Sequence, residues 1–242
     1  MRNLKVVAVA AALFVFGAGS LRAQTGTGTM VLSGVNGASD CFGPTVGSEE
    51  CAYTSPYFAQ FENLSSHSWM LPVGGGPSFG PTTDIFCVDF FHNSYIGQVT
   101  NVYLTNLGHL SAGWLGTYTR SSSLTKYLEA AWLAQQIVSG PLGRADALDM
   151  NGAIWKLMSG SPDFYRGAND AAISFWVGQA AANYTHVNAS SWVVVTPEGN
   201  PGIGGSQEYI TQVTPEPATL LLLGTGLGVM MLGAGMLRRP TA

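Results

Sequence analysis

Strand-like and helix-like stretches follow one another along this chain in blocks. Met30–Val35 and Tyr57–Asn63 are predicted strands. LPVGGGPSFGPTT at 71–83 is a loop by its Pro and Gly content. Asp84–Asn93 and Gln98–Leu107 are β-branched and aromatic, with Asn93 and Gly97 turning between them, and they predict a pair of strands. The period then lengthens. Ser121–Ser123 offer caps, Gly140 and Pro141 a stop, and Leu124, Tyr127, Leu128, Ala131 and Val138 fall on one side of the helix between. A second helix runs from Asp146 as N-cap to Gly160, and a third covers ANDAAISFWVGQAAANY at 168–184. SWVVVT and QEYITQV close the series as two strands joined by PEGNPGIGGS.

Strands, three helices, then strands predict an α+β fold class, with antiparallel β strands flanking a central three-helix segment. The carboxyl end adds one expected element. Ala218 to Leu237 carries no charge over about 20 residues, enough for a ~30 Å hydrocarbon core, and predicts one C-terminal transmembrane helix. Arg238 and Arg239 follow at once and place that end in the cytoplasm. Gly224 and Gly228 have the spacing of a helix-association motif.

The amino end gives the same orientation. Arg2 and Lys5 precede an apolar run, Val6 to Ala18, and small residues lead to a cleavage position after Ala23, the pattern of a secretory signal peptide. The expected organisation is a signal peptide over 1–23, an exported domain over 24–213 and a terminal sorting segment over 214–242. Only 10% of the 242 residues are charged, and the formal net charge is −4. All carboxylates, from Asp40 to Glu216, lie between the two apolar ends, so the body is acidic and a nucleic-acid partner is excluded.

Export makes the cysteines informative. Three are present, Cys41, Cys51 and Cys87, so one disulfide and one remaining thiol are expected. Cys41 and Cys51 bracket a segment with Gly43, Pro44 and Gly47 that can turn back on itself, and they form the expected pair.

Two resemblances add to this. Pro215-Glu216-Pro217, the apolar span and Arg238-Arg239 together resemble the PEP-CTERM sorting signal of Gram-negative bacteria that make extracellular polysaccharide. That resemblance implies recognition and cleavage by exosortase, a membrane-embedded transpeptidase-like enzyme, near the Pro-Glu-Pro. It implies export across the inner membrane, a transient anchor, and a final place at the cell surface or in the matrix. It gives an address rather than an activity.

FCVDFF at 86–91, YLEAAWL at 127–133 and MNGAIWKLM at 150–158 resemble landmarks of thioester-domain surface adhesins. In that family a Cys attacks a Gln carboxamide, expels ammonia and leaves an internal thioester that acylates an amine. Cys87 matches the family Cys, and Ala153-Ile154-Trp155 match its A-I-W. The Gln position falls on Asn151, one methylene shorter, which draws the carbonyl carbon back by roughly 1.3 Å. The expectation is therefore a body that has lost the crosslink, with Cys87 and Asn151 as the candidate reactive pair. Ala147, Asn151, Ile154, Trp155 and Met158 share one helical face, which also predicts a buried, hydrogen-bonded amide.

Other patterns are weaker. Gly76-Pro77-Ser78-Phe79-Gly80 fits G-x-S-x-G, and Asp163 and His186 follow in hydrolase order. The Pro-bounded flanks, however, are not the strand and helix a nucleophile elbow requires. Asp84 and Asp89 flank Cys87 without the alternating acidic pattern of a cation loop. His67, His92, His109 and His186 show no ligand spacing, so neither a metal nor a cofactor is expected. The reading is a non-enzymatic surface or exopolysaccharide-matrix protein whose partners are exosortase, the membrane and a surface glycan. The alternatives are a thioester-forming adhesin acting through Cys87 and a serine hydrolase acting through Ser78.

Overall fold

The computed structural model describes residues 26–43, 49–65, 82–110, 113–139, 144–161, 164–166, 170–199 and 205–213. Nine strands and three helices occur among them. They are β1 (Gly26–Val35), β2 (Ser39–Gly43), β3 (Glu50–Tyr53), β4 (Tyr57–Glu62), β5 (Thr83–Cys87), β6 (Val99–Asn106), α1 (Leu124–Ser139), α2 (Arg144–Ser159), β7 (Tyr165–Arg166), α3 (Ala171–Asn183), β8 (Trp192–Pro197) and β9 (Tyr209–Gln212).

Six strands close into a barrel in the order β1-β4-β5-β9-β8-β6, with every neighbouring pair antiparallel. β4 shows the period of two that fills the interior: Tyr57, Ala59 and Phe61 are buried, while Phe58, Gln60 and Glu62 are partly exposed. β8 is buried at every position, so both of its faces are covered. β1 pairs with β4 on one side and β6 on the other, and its register to β4 shifts between Leu32 and Gly34, where the strand bends.

The remaining strands form a small sheet in the order β3-β2-β7. Cys41 and Cys51 face each other across its β2–β3 ladder and are joined as a disulfide. Phe42, next to Cys41, is fully buried and meets the Trp155 ring of α2 edge-on at 4.9 Å. Arg166 ties the sheet to α2 by pairing Asp40 at 3.0 Å and Asp149 at 2.7 Å. Replacing both Cys41 and Cys51 with Ala is expected to cost about 2–3 kcal/mol, because the closed loop restricts the unfolded chain. The check is the urea midpoint of oxidised wild type against the double variant.

The three helices pack on one another. Gly152 of α2 sits at the contact with α3: a Cβ there would lie 2.8 Å from Ile173 Cδ1 and 3.2 Å from Phe42 Cε1. Glycine lets α2 approach α3 and β2 together. Asp170 precedes α3 but makes no side-chain cap; its carboxylate instead receives Lys156 Nζ at 2.8 Å and Ser174 Oγ at 3.0 Å. Asp146, expected as a cap, lies inside the first turn of α2.

The expected α+β architecture is corrected by the barrel. The strands do not merely flank the helices; those before and after the helical segment pair with each other, through β5–β9 and β6–β8, and close one sheet on itself. The expected pairing of the DIFC and QVTNVYL strands is also replaced, since β5 pairs with β4 and β9, and β6 with β1 and β8. A period of two states which side of a strand is buried, not which strand lies beside it. No helix among the described residues is long and apolar enough to cross a membrane, so the transmembrane helix is not part of the observed architecture. The signal peptide at 1–23 and the segment 214–242, with Pro215, Glu216, Pro217, Arg238 and Arg239, lie outside the described residues, as do His67, Ser78 and Asp163.

Candidate functional site

Cys87 ends β5 opposite Tyr209 of β9 and is fully buried. Its backbone N–H donates to Ser55 Oγ at 3.0 Å, and the Ser55 N–H donates to Asn151 Oδ1 at 2.9 Å. Ser55 belongs to the β3–β4 connection, so one residue bridges the barrel strand that carries Cys87 to the helix that carries Asn151. Asn151 is itself fully buried. Its Nδ2, and the Nε1 of Trp155 one turn further along α2, have no hydrogen-bond partner among the described residues.

The thiol is held neutral. Burial pushes Cys87 up to about 12; the nearby Trp155 indole N–H and the Arg120 charge pull against this, while Glu208 adds to it. Trp155 makes no hydrogen bond of normal geometry to the sulfur, but its N–H dipole favours the thiolate. The thiol donates to the Asp89 carbonyl at 3.2 Å. A thioester would require loss of that proton, attack of sulfur on the Asn151 carboxamide carbon and departure of ammonia. The Ser55 N–H already sits on the carboxamide oxygen, where it would polarise the carbonyl. The thiolate that would start the reaction is scarce at neutral pH.

A second cluster adjoins the first. Arg120 pairs with Asp89, its guanidinium donates to the Ser206 carbonyl, and its Nη1 lies 3.1 Å from His92 Nδ1. His92 Nδ1 also contacts Asp89 Oδ1 at 2.8 Å. The Arg120 backbone N–H donates to Glu208 Oε1 at 2.8 Å, Thr196 Oγ1 donates to the same oxygen at 2.7 Å, and Tyr127 O–H donates to Oε2 at 2.7 Å. Glu208 on the approach to β9 is thus a buried carboxyl with three donors. It joins the barrel to the start of α1. Burial also raises the phenols of Tyr57, Tyr127 and Tyr209 well above their usual value, so they act here as hydroxyl donors and as packing surface.

Sequence reading missed this cluster. Its only signals were a lone Glu inside an apolar strand and the scarcity of basic residues in the body, which gives Arg120 weight. Asp84 and Asp89 do not share a cation: Asp89 is held by Arg120 and His92, whereas Asp84 is exposed on β5. No group of three His, Cys, Asp or Glu side chains among the described residues is arranged to hold a metal.

Glu208 makes stability depend on pH. Burial raises its carboxyl above 4.5, outweighing the donors from Tyr127, Arg120 and Thr196. Its proton is therefore held more tightly in the folded state. The contribution is complete below pH 4.5 and is lost as pH rises through the raised folded value. Burial raises Glu129 and Asp84 in the same direction. Glu208→Gln imitates the protonated group, so its stability is expected to fall less than wild type's as pH rises from 4.5. Urea midpoints across that range for the two proteins isolate the Glu208 contribution; parallel profiles would contradict it.

No protein-family model, curated protein or solved structure matches this chain.

Proposed function

We propose that this chain is an exported cell-surface or extracellular-matrix protein with a non-enzymatic, adhesive role. It is addressed by the Pro215-Glu216-Pro217 signal and its terminal arginines to exosortase, and it ends at the surface of a Gram-negative cell. The observation that carries the non-enzymatic reading is the use made of the two candidate reactive groups. Cys87 is a buried neutral thiol donating to a carbonyl, and the Asn151 carboxamide positions the Ser55 backbone. Through Ser55, the Cys87 backbone N–H and the Asn151 carboxamide join the barrel to α2. Intact mass of the mature protein tests this. The expected result is a body without ammonia loss, one thiol that alkylates only after unfolding, and a carboxyl terminus near Pro217.

One observation favours a second reading. The Cys87 backbone and the Asn151 carboxamide bond to the same residue, Ser55, which supports a reading in which the two positions of the thioester resemblance act together. In that reading the mass falls by one ammonia, and methylamine restores it while releasing the thiol.

A further inference from the structure

Seven large hydrophobic side chains are exposed among the described residues. Four of them, Phe91, Tyr95, Ile96 and Val99, fall between the end of β5 and the first residue of β6. The last three surround a tight turn. The Gln98 N–H donates to the Tyr95 carbonyl at 2.9 Å, and Gly97, third of the four turn residues, has a φ of +85° that glycine adopts without strain. Tyr95 is 69% exposed, Ile96 62% and Val99 59%, so one turn carries an aromatic ring and two aliphatic side chains into solvent.

The turn is held in place. The Gly97 N–H donates to the Leu32 carbonyl at 2.7 Å, and the Leu32 N–H donates to the Gln98 carbonyl at 3.2 Å, which fixes the turn to β1. The Gln98 side chain accepts from the Tyr95 N–H at 3.0 Å and donates to Ser206 Oγ at 2.6 Å. The Tyr95 and Gln98 backbone groups and the Gly97 N–H are thus satisfied from within the protein, which lowers the cost of moving them from water into an apolar medium. No Asp, Glu, Lys or Arg occurs from Asn93 to Thr119.

Topology sets where the turn faces. β9 runs antiparallel to β5, so the chain leaves the barrel beside the start of β5, whereas the β5–β6 connection lies at the other end. A body tethered through 214–242 presents the turn away from its own membrane.

Area and charge select the occupant. The three side chains expose on the order of 300 Å², well short of the ~800 Å² that each partner gives a stable protein interface. A bilayer asks for no fitted shape of that size: a tyrosine at headgroup level beside aliphatic side chains is an interfacial anchor. With a net charge of −4 on the chain and no cation in the turn, anionic lipid repels the body and offers the turn nothing in return.

We propose that this turn docks the protein on a zwitterionic lipid surface other than its own membrane, with Tyr95, Ile96 and Val99 entering the interface. The proposal names the surface that the adhesive role meets and rests on that reading for its orientation. Flotation of the mature protein tests it, with vesicles of phosphatidylcholine and, separately, of phosphatidylglycerol. The expected result is recovery with phosphatidylcholine that changes little with salt, and weaker recovery with the anionic vesicles. Tyr95→Ser combined with Ile96→Ser should lower the partition coefficient by about tenfold or more, because the apolar area that leaves water is lost. Phe175→Ser, at an exposed position on α3, should leave it unchanged. Equal urea midpoints for wild type and the double variant show that lost binding is not lost folding. No recovery of wild type, preference for the anionic vesicles, or recovery that survives the double change would overturn the proposal. So would a wild-type dimer, seen by sedimentation without vesicles, that the double change dissociates, since the turn would then bind a second copy. Retention on intact producing cells tests the adhesive reading separately. No retention of wild type removes that role and leaves vesicle binding standing, whereas equal retention of wild type and double variant keeps the role and takes the turn out of it.

Discussion

Trp155→Ala is expected to lower stability by about 3–5 kcal/mol, the range for emptying a large buried aromatic site. Trp155 is fully buried, with ring centres of Phe42, Phe90 and Phe164 at 4.9, 5.1 and 6.3 Å. Those rings come from β2, the segment after β5, and the residue before β7, so one indole fills the junction of the barrel, the small sheet and the helices. The loss is a large share of the ~5–15 kcal/mol that holds a typical domain together. Trp155→Phe keeps most of the contacts and removes the unpartnered N–H, so it should cost clearly less. Urea unfolding of the three proteins decides this, and an equal loss in both variants would contradict the packing account.

Arg120→Leu should destabilise by about 3 kcal/mol, because it leaves the Asp89 carboxylate buried without its cation. Asp89 is 9% exposed and the Arg120 side chain 17%. The double change Arg120→Leu with Asp89→Leu should recover much of that loss, since removing both charges removes the uncompensated one. The Arg120 backbone N–H on Glu208 survives both variants, and the guanidinium charge near Glu208 is lost in both, so the Glu208 cluster cancels between the single and the double change. A double variant as unstable as the sum of the singles would show that the pair is dispensable as a pair. The cluster would then act through His92 and the Ser206 carbonyl instead.

Both sites were only half legible. Cys87 stands out in the sequence because Cys41 and Cys51 have a geometric reason to pair and it does not. Asn151 stands out as an amide on an apolar helical face. Ser55 gave no signal at all, yet it is the residue that brings the two together, from 96 positions away from Asn151 and 32 from Cys87. Glu208 was hidden in the same way: its hydroxyl donor Tyr127 reads as one more apolar stripe position on α1, 81 residues earlier. A helical stripe reports burial, but a tyrosine in it does not disclose where its hydroxyl goes.

The element types themselves were carried by local pattern. The three helices, the strands at Tyr57–Glu62, Val99–Asn106 and Trp192–Pro197, and the antiparallel return of β9 along β8 follow from periodicity and turn residues within short windows. Composition and the charged ends likewise determine the expectation of export and sorting without any fold. Closure of the barrel was decided only in three dimensions. β1 finds β4 and β6, and β5 finds β9 across the whole helical segment. Strand partners are selected by which complete set of ladders buries every inward face and leaves no open edge. That condition belongs to all six strands at once, so no single stretch of sequence expresses it.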